Sequence, residues 1–349
     1  DPVNCTDLAG SLGWANGNAG SSDSHYQEGQ SIPYRTIFTN LPTTGVPIEI
    51  IIGYDIKHSS KFAIDFLTGM KQGITSDVDP CDGAGVTGLA NCVNGAGGSF
   101  FDISTFLGAG DASHPAMVSI TAPGTGVPAV LQPITSFDAV QSSANDYEKW
   151  IFIAGGTITD VKYVSQPTET QLLNDATAQV QVSITFTTTT SSTVVLAWGG
   201  HIASRLDWGI GGDGQPLSAG GISGSPYHMA LVSFFVDGVE QGQGQQDRSL
   251  SAAAVIAPTE LLTEVHDPAH NDITGTSVPL GTVVHDQATL TSGFSPTGTI
   301  TFRFFSDGSC TNQVSTQSVS LPAGTPPLSV ESTPQTLGVG SYSYYASYS

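Results

Sequence analysis

The segment SDVDPCDGAG places three carboxylates, Asp77, Asp79 and Asp82, within six residues. Carboxylate oxygens beside the carbonyls of a Gly-rich loop suit a hard cation, and we expect Ca²⁺ there. The spacing is not that of an EF-hand, since no Glu follows at the twelfth position. An acidic, solvated loop is the competing reading. A second group lies in WGGHIASRLDW, where His201, Arg205 and Asp207 sit between Trp198 and Trp208, with His228 further along. His201, Asp207 and His228 are the residue types of a zinc site. Against this stands a structural corner, with Asp207 paired to Arg205 or to a histidine and fastening a strand to a loop. A third group, HDPAHND, carries His266 and His270 at i, i+4 together with Asp267 and Asp272. Pro268 removes the helix that would put those histidines on one face. We read the segment as a turn between strands, held by Asx side chains.

No catalytic constellation is visible. Gly-x-Ser-x-Gly is absent, GISGS at 221–225 only approximates it, and nothing in the spacing gathers a nucleophile with a base. The chain is therefore expected not to be an enzyme, and no motif for an organic cofactor occurs. Lys57 and Lys61 would permit an intramolecular isopeptide bond only if an Asn and an acid were buried beside one of them.

Four cysteines are present. Cys81 and Cys92 flank a ten-residue Gly-rich loop that closes easily, so we expect a disulfide between them. Cys5 and Cys310 pair with each other or with other chains, and the sequence leaves both open.

Acidic residues outnumber basic ones 30 to 9, for a net charge of −21. Phosphate recognition needs clustered Lys and Arg, so nucleic acid and anionic membranes are excluded as partners. No apolar run approaches the ~18 residues of a membrane span, and no membrane insertion is expected. The chain begins at Asp1 without Met, as expected after removal of a signal peptide. With few Lys and Arg and four cysteines, it reads as secreted, extracellular or on a cell surface.

The elements that must position these groups are strands. Charged residues are 11% of the chain, with 41 Gly and 20 Pro, a composition of short strands and many turns. Strand patterns fall at 33–41, 47–57, 116–121, 149–154, 157–164, 178–187, 193–201 and 228–237, while 60–70 has mixed spacing that admits a short helix. In AQVQVSITFT, Val180, Val182, Ile184 and Phe186 share one face. Composition changes at 247–258, and five more strands follow at 259–265, 282–290, 298–305, 313–320 and 340–348. The fold class is all-β: an arm or loop at 1–31, a large jelly-roll-like β-sandwich at 32–256, and a smaller immunoglobulin-like β-sandwich at 257–349.

The segments SVPLGTVVHD (277–286), PTGTITF (296–302) and GVGSYSYYASYS (338–349) resemble bacterial immunoglobulin-like repeat domains of surface proteins. Such domains continue past the Ser-Tyr strand into a final strand, which the resemblance leads us to expect beyond Ser349 or from another chain. EGQSIPY (28–34), WGGHIASRLDW (198–208) and GSPYHM (224–229) are similar to an uncharacterised class of secreted β-rich microbial proteins. The first resemblance implies a stalk or spacer role, and the second bears on location and architecture; the function we expect is that of a non-enzymatic structural subunit of a surface filament, sheath or surface layer, self-associating into a polymer. An adhesin binding glycan or protein, and a secreted hydrolase, are the alternatives.

Overall fold

The computed structural model describes residues 14, 17–22, 24–43, 45–73, 79–82, 92, 97–104, 120–121, 131–132, 134–209, 211, 213, 215–220, 222–242, 246–256, 260–291, 296–324 and 327–349. Strands dominate; the described residues include four short α-helices, the longest of eight residues. The chain divides into two compact units, Asp1–Val255 and Ile256–Ser349.

The large unit is a β-sandwich. Its strands are β1 (Ser31–Phe38), β2 (Ile48–His58), β3 (Ile64–Thr68), β4 (Gly98–Phe101), β5 (Ile151–Ala154), β6 (Gly156–Ser165), β7 (Ala178–Thr188), β8 (Val194–Ile202), β9 (Tyr227–Val236) and β10 (Gln246–Leu250). A seven-stranded sheet runs β6-β7-β2-β9, with β10 on β9 and two short additions. A five-stranded sheet runs β1-β8-β5-β4, with β3 also on β8. The alternation in β7 plays out as its sequence requires: Val180, Val182, Ile184 and Phe186 are buried, while Gln179 is exposed and Gln181 half-buried. They meet Ile48, Ile50 and Ile52 of β2, and residues of both sheets share one core.

β8 is buried along its whole length. Its inner face gives Val194, Leu196, Trp198 and Ile202 to the main core. Its outer face gives Val195 and Ala197 to a second cluster, where the Cys81–Cys92 disulfide, Tyr147 and Phe152 cover the five-stranded sheet. Segment 60–70 is not a helix. It forms a two-residue strand at Lys61–Phe62 and then β3, buried at every position, which removes the period that would have marked it as a strand. β10 lies in the compositional transition yet pairs in register with β9, Tyr227 opposite Leu250. Part of the arm is pinned to it, because the Ala19 amide donates to the Ser249 carbonyl at 2.9 Å.

The small unit holds β11 (Leu261–His266), β12 (Val283–Leu290), β13 (Thr299–Phe305), β14 (Gln313–Ser320), β15 (Leu328–Glu331) and β16 (Ser343–Tyr348). One sheet runs β11-β12-β15 and the other β14-β13-β16. Ala288, Ile300 and Phe302 form the fully buried core between them.

Candidate functional site

Three buried ionisable groups of the large unit, Glu28, Asp65 and His201, gather at a corner built by the ends of β3 and β8. Asp65 points inward from β3, and its Oδ1 meets His201 Nδ1 of β8 at 2.6 Å. Its Oδ2 accepts from Trp208 Nε1 at 3.0 Å. Trp208 belongs to a four-residue helix, Arg205–Trp208, started by Ser204, whose hydroxyl accepts from the Leu206 amide at 3.0 Å. Its indole stacks on Phe62 with ring centroids 3.6 Å apart. Arg205 reaches Glu28: Nε to Oε2 at 2.9 Å and Nη2 to Oε1 at 3.2 Å, while Ser218 Oγ donates to the same Oε1 at 2.6 Å.

Burial disfavours the imidazolium of His201, but the Asp65 charge and hydrogen bond outweigh that and hold its pKa above the ordinary value. Asp207 is pushed up to about 6 by desolvation and then by the nearby Asp65 charge. An aspartate on the Nδ1 edge of a histidine is two-thirds of a hydrolase triad. Here the imidazole is also bonded to the Gly29 backbone, lies on Phe66 with centroids 4.1 Å apart, and is 2% exposed. No nucleophile can approach it from solvent. The expected pairing of Asp207 with Arg205 or a histidine is not what is seen: Arg205 pairs with Glu28 and His201 with Asp65, two acids outside that segment.

His228 is not part of that corner. It lies on β9, bonded through Nδ1 to Asp247 at 3.0 Å and stacked on His58, with centroids 5.6 Å apart. His58 in turn bonds Asp55 at 3.1 Å. Next to this pair is a pocket of about 530 Å³ lined by Asp55, His58, Gln171, Asp175, Gln179 and neighbours. Lys57 Nζ donates to the Leu172 carbonyl at 2.6 Å and Lys61 Nζ to the Pro216 carbonyl at 2.6 Å, so both amines rest on backbone oxygens.

In the acidic loop, Asp77 lies outside the described residues, as does Cys5. Asp79 is buried, and its Oδ1 accepts from the amides of both Cys81 and Cys92 at 2.8 Å. The carboxylate thus ties together the backbone on either side of the disulfide. Arg35 Nη1 donates to the carbonyls of Pro80 and Asp82 at 3.0 and 2.7 Å, and Tyr147 bonds the Cys92 carbonyl. Cys310 is free and exposed, with its Sγ 3.3 Å from Ser343 Oγ.

The third group is the Asx-held turn between strands that its sequence suggested, with one addition. Asp267 does hold an Asx turn, accepting from the amides of Ala269 at 2.8 Å and Asn271 at 3.0 Å, and Asp272 accepts from the Thr274 amide at 2.8 Å. The histidines converge all the same. His266 stands directly opposite His285 on the paired strands β11 and β12, and the turn folds His270 back over both. Ring centroids lie 5.7 Å apart for His266–His285, 5.0 Å for His270–His285 and 6.2 Å for His266–His270. A helix was not needed, because a reversal after a strand end also brings i and i+4 together. The overlooked signal was His285 in VVHD, on a strand whose register with β11 a single sequence does not reveal.

No family model, curated protein or solved structure matches this chain.

Proposed function

We propose that this chain is a non-enzymatic structural protein of the extracellular space, a subunit of a surface filament, sheath or layer that assembles with its own copies. The observation that carries the reading is the sealed Asp65–His201 pair. The arrangement nearest to catalytic geometry in the large unit is buried, stacked and bonded on both ring edges, so it acts as a fastener of β3 to β8. The disulfide over the five-stranded sheet favours an oxidising compartment.

Self-association has an available surface in the small unit. Among the described residues, β16 carries a ladder to β13 alone, and its outward Tyr345 is 48% exposed. A strand of a second copy added there would satisfy the free backbone groups. Sedimentation velocity of the full chain over a concentration series tests this: species larger than the 36.0 kDa monomer should grow with concentration. A monomer at every concentration, together with turnover in a panel of glycan, ester and peptide substrates, would overturn the proposal.

A glycan-binding adhesin is the second reading. It draws on the pocket beside Asp55, whose carboxylates and amides suit sugar hydroxyls but whose lining offers no Phe, Tyr or Trp platform. Glycan binding abolished by Gln171→Ala would move the assignment there.

A further inference from the structure

His266 and His285 are each 6% exposed, yet His266 Nδ1 and His285 Nε2 have no hydrogen-bond partner. Two buried ring nitrogens without partners are costly unless something occupies the space between them. One ring nitrogen from each of His266, His270 and His285 lies within 4.8 Å of the other two. The carboxylate of Glu331 overhangs the group: Oε1 is 3.4 Å from His270 Nδ1 and Oε2 is 3.8 Å from His285 Nε2. Gln287 Nε2 steadies that carboxylate at 3.3 Å. Three imidazoles meet edge to face, at interplanar angles of 74° to 89°, instead of stacking.

We propose that His266, His270 and His285 bind one divalent transition-metal ion, zinc foremost, with Glu331 as the fourth ligand. Three neutral imidazoles and one carboxylate are a borderline donor set that suits tetrahedral Zn²⁺ with bonds of about 2.0–2.2 Å. Such bonds require the ligand atoms to sit about 3.3–3.5 Å apart, so imidazole nitrogens now within 4.8 Å of one another must close by up to about 1.4 Å. His266 and His285 are held opposite each other as a cross-strand pair, so ring rotation in both and an adjustment of the exposed His270 side chain would make that approach. The hydrogen bonds to Asp267 preset the turn, so the ion staples it to the outer face of the β11-β12-β15 sheet. In a surface spacer, that staple would stiffen the module when zinc is present.

The test uses the full chain, stripped of metal by a chelator and titrated with zinc chloride at pH 7.5, with cobalt(II) absorption reporting geometry. One zinc ion per chain should bind, cobalt should give the intense visible bands of a tetrahedral site, and the melting temperature should rise with zinc. His270→Gln, on an exposed turn that does not support the core, should weaken binding by at least about tenfold and abolish the melting shift. His285→Gln should do the same, with folding verified by circular dichroism. The double variant His58→Gln/His228→Gln should bind as the wild type does, since those rings are already bonded to Asp55 and Asp247. Absence of zinc uptake, or uptake unchanged in folded His270→Gln and His285→Gln, would overturn the proposal.

Discussion

Glu28 has no exposed side-chain surface, and among the described residues its charge is matched by an Arg205 that is itself 29% exposed. Removing the guanidinium would leave a buried carboxylate uncompensated. We expect Arg205→Ala to lower the stability of the large unit by about 3–5 kcal/mol, read by chemical denaturation. An effect below about 1 kcal/mol, the range of surface pairs, would contradict that role. The same corner sets a pH dependence. Folded Asp207 keeps its proton up to about pH 6, whereas the unfolded residue releases it near 3.8. The folded state binds more protons across that window, so stability falls as pH rises through it. The His201 contribution, from a pKa above 6.5, is fully present below 6.5 and fades as pH rises through the folded value. Both slopes have one sign. Asp207→Asn should flatten the loss between pH 4 and 6, gaining about 1–2 kcal/mol over wild type by pH 7 once solvent screening is allowed for. A parallel pH profile for the two proteins would refute this. His201, Arg205 and Asp207 were legible because they cluster in one segment. Their partners Asp65 and Glu28 were not, since they lie 136 and 177 residues away and only strand pairing brings them in.

At the scale of elements, alternation made strands readable, and so did apolar runs bounded by turns, such as β5 and β8, which are buried throughout; a short buried run in mixed spacing was not readable. β7 alternates and was legible; IDFLT in β3 is buried throughout and gave no period. β8 shows how tightly such a strand is held. A Cβ on Gly199 would stand 2.3 Å from Thr68 Oγ1 and 2.4 Å from the Gly69 carbonyl, where only hydrogen fits. Gly199→Val should therefore push β3 from β8 and leave little folded protein, checked by circular dichroism and soluble yield. Native stability in that variant would mean the approach is looser than described. On the other face of this sheet Cys81 and Cys92, eleven residues apart, are joined by a disulfide. Cys81→Ser/Cys92→Ser should cost about 2–3 kcal/mol and speed proteolysis within the loop. An unchanged cleavage rate would show that Asp79 and Arg35 suffice to hold the loop.

For the whole molecule, the all-β class followed from Gly, Pro and Thr content with few helical runs, and the structure bears it out. Function was less legible, because no residue type announces assembly. Under the proposed assembly the partner of the open strand edge would be another chain, and such pairing would leave no spacing signal in this one. Among the described residues no helix is long and apolar enough to cross a membrane, and the −21 charge keeps copies apart unless specific contacts form. Assembly through a sheet edge should therefore strengthen as salt screens that repulsion. The most direct measurement is negative-stain electron microscopy of the purified full chain at physiological salt. Our account predicts ordered filaments or sheets with a regular repeat, lost when Ala346→Pro places a proline in β16. Dispersed single particles under all salt and concentration conditions would contradict it.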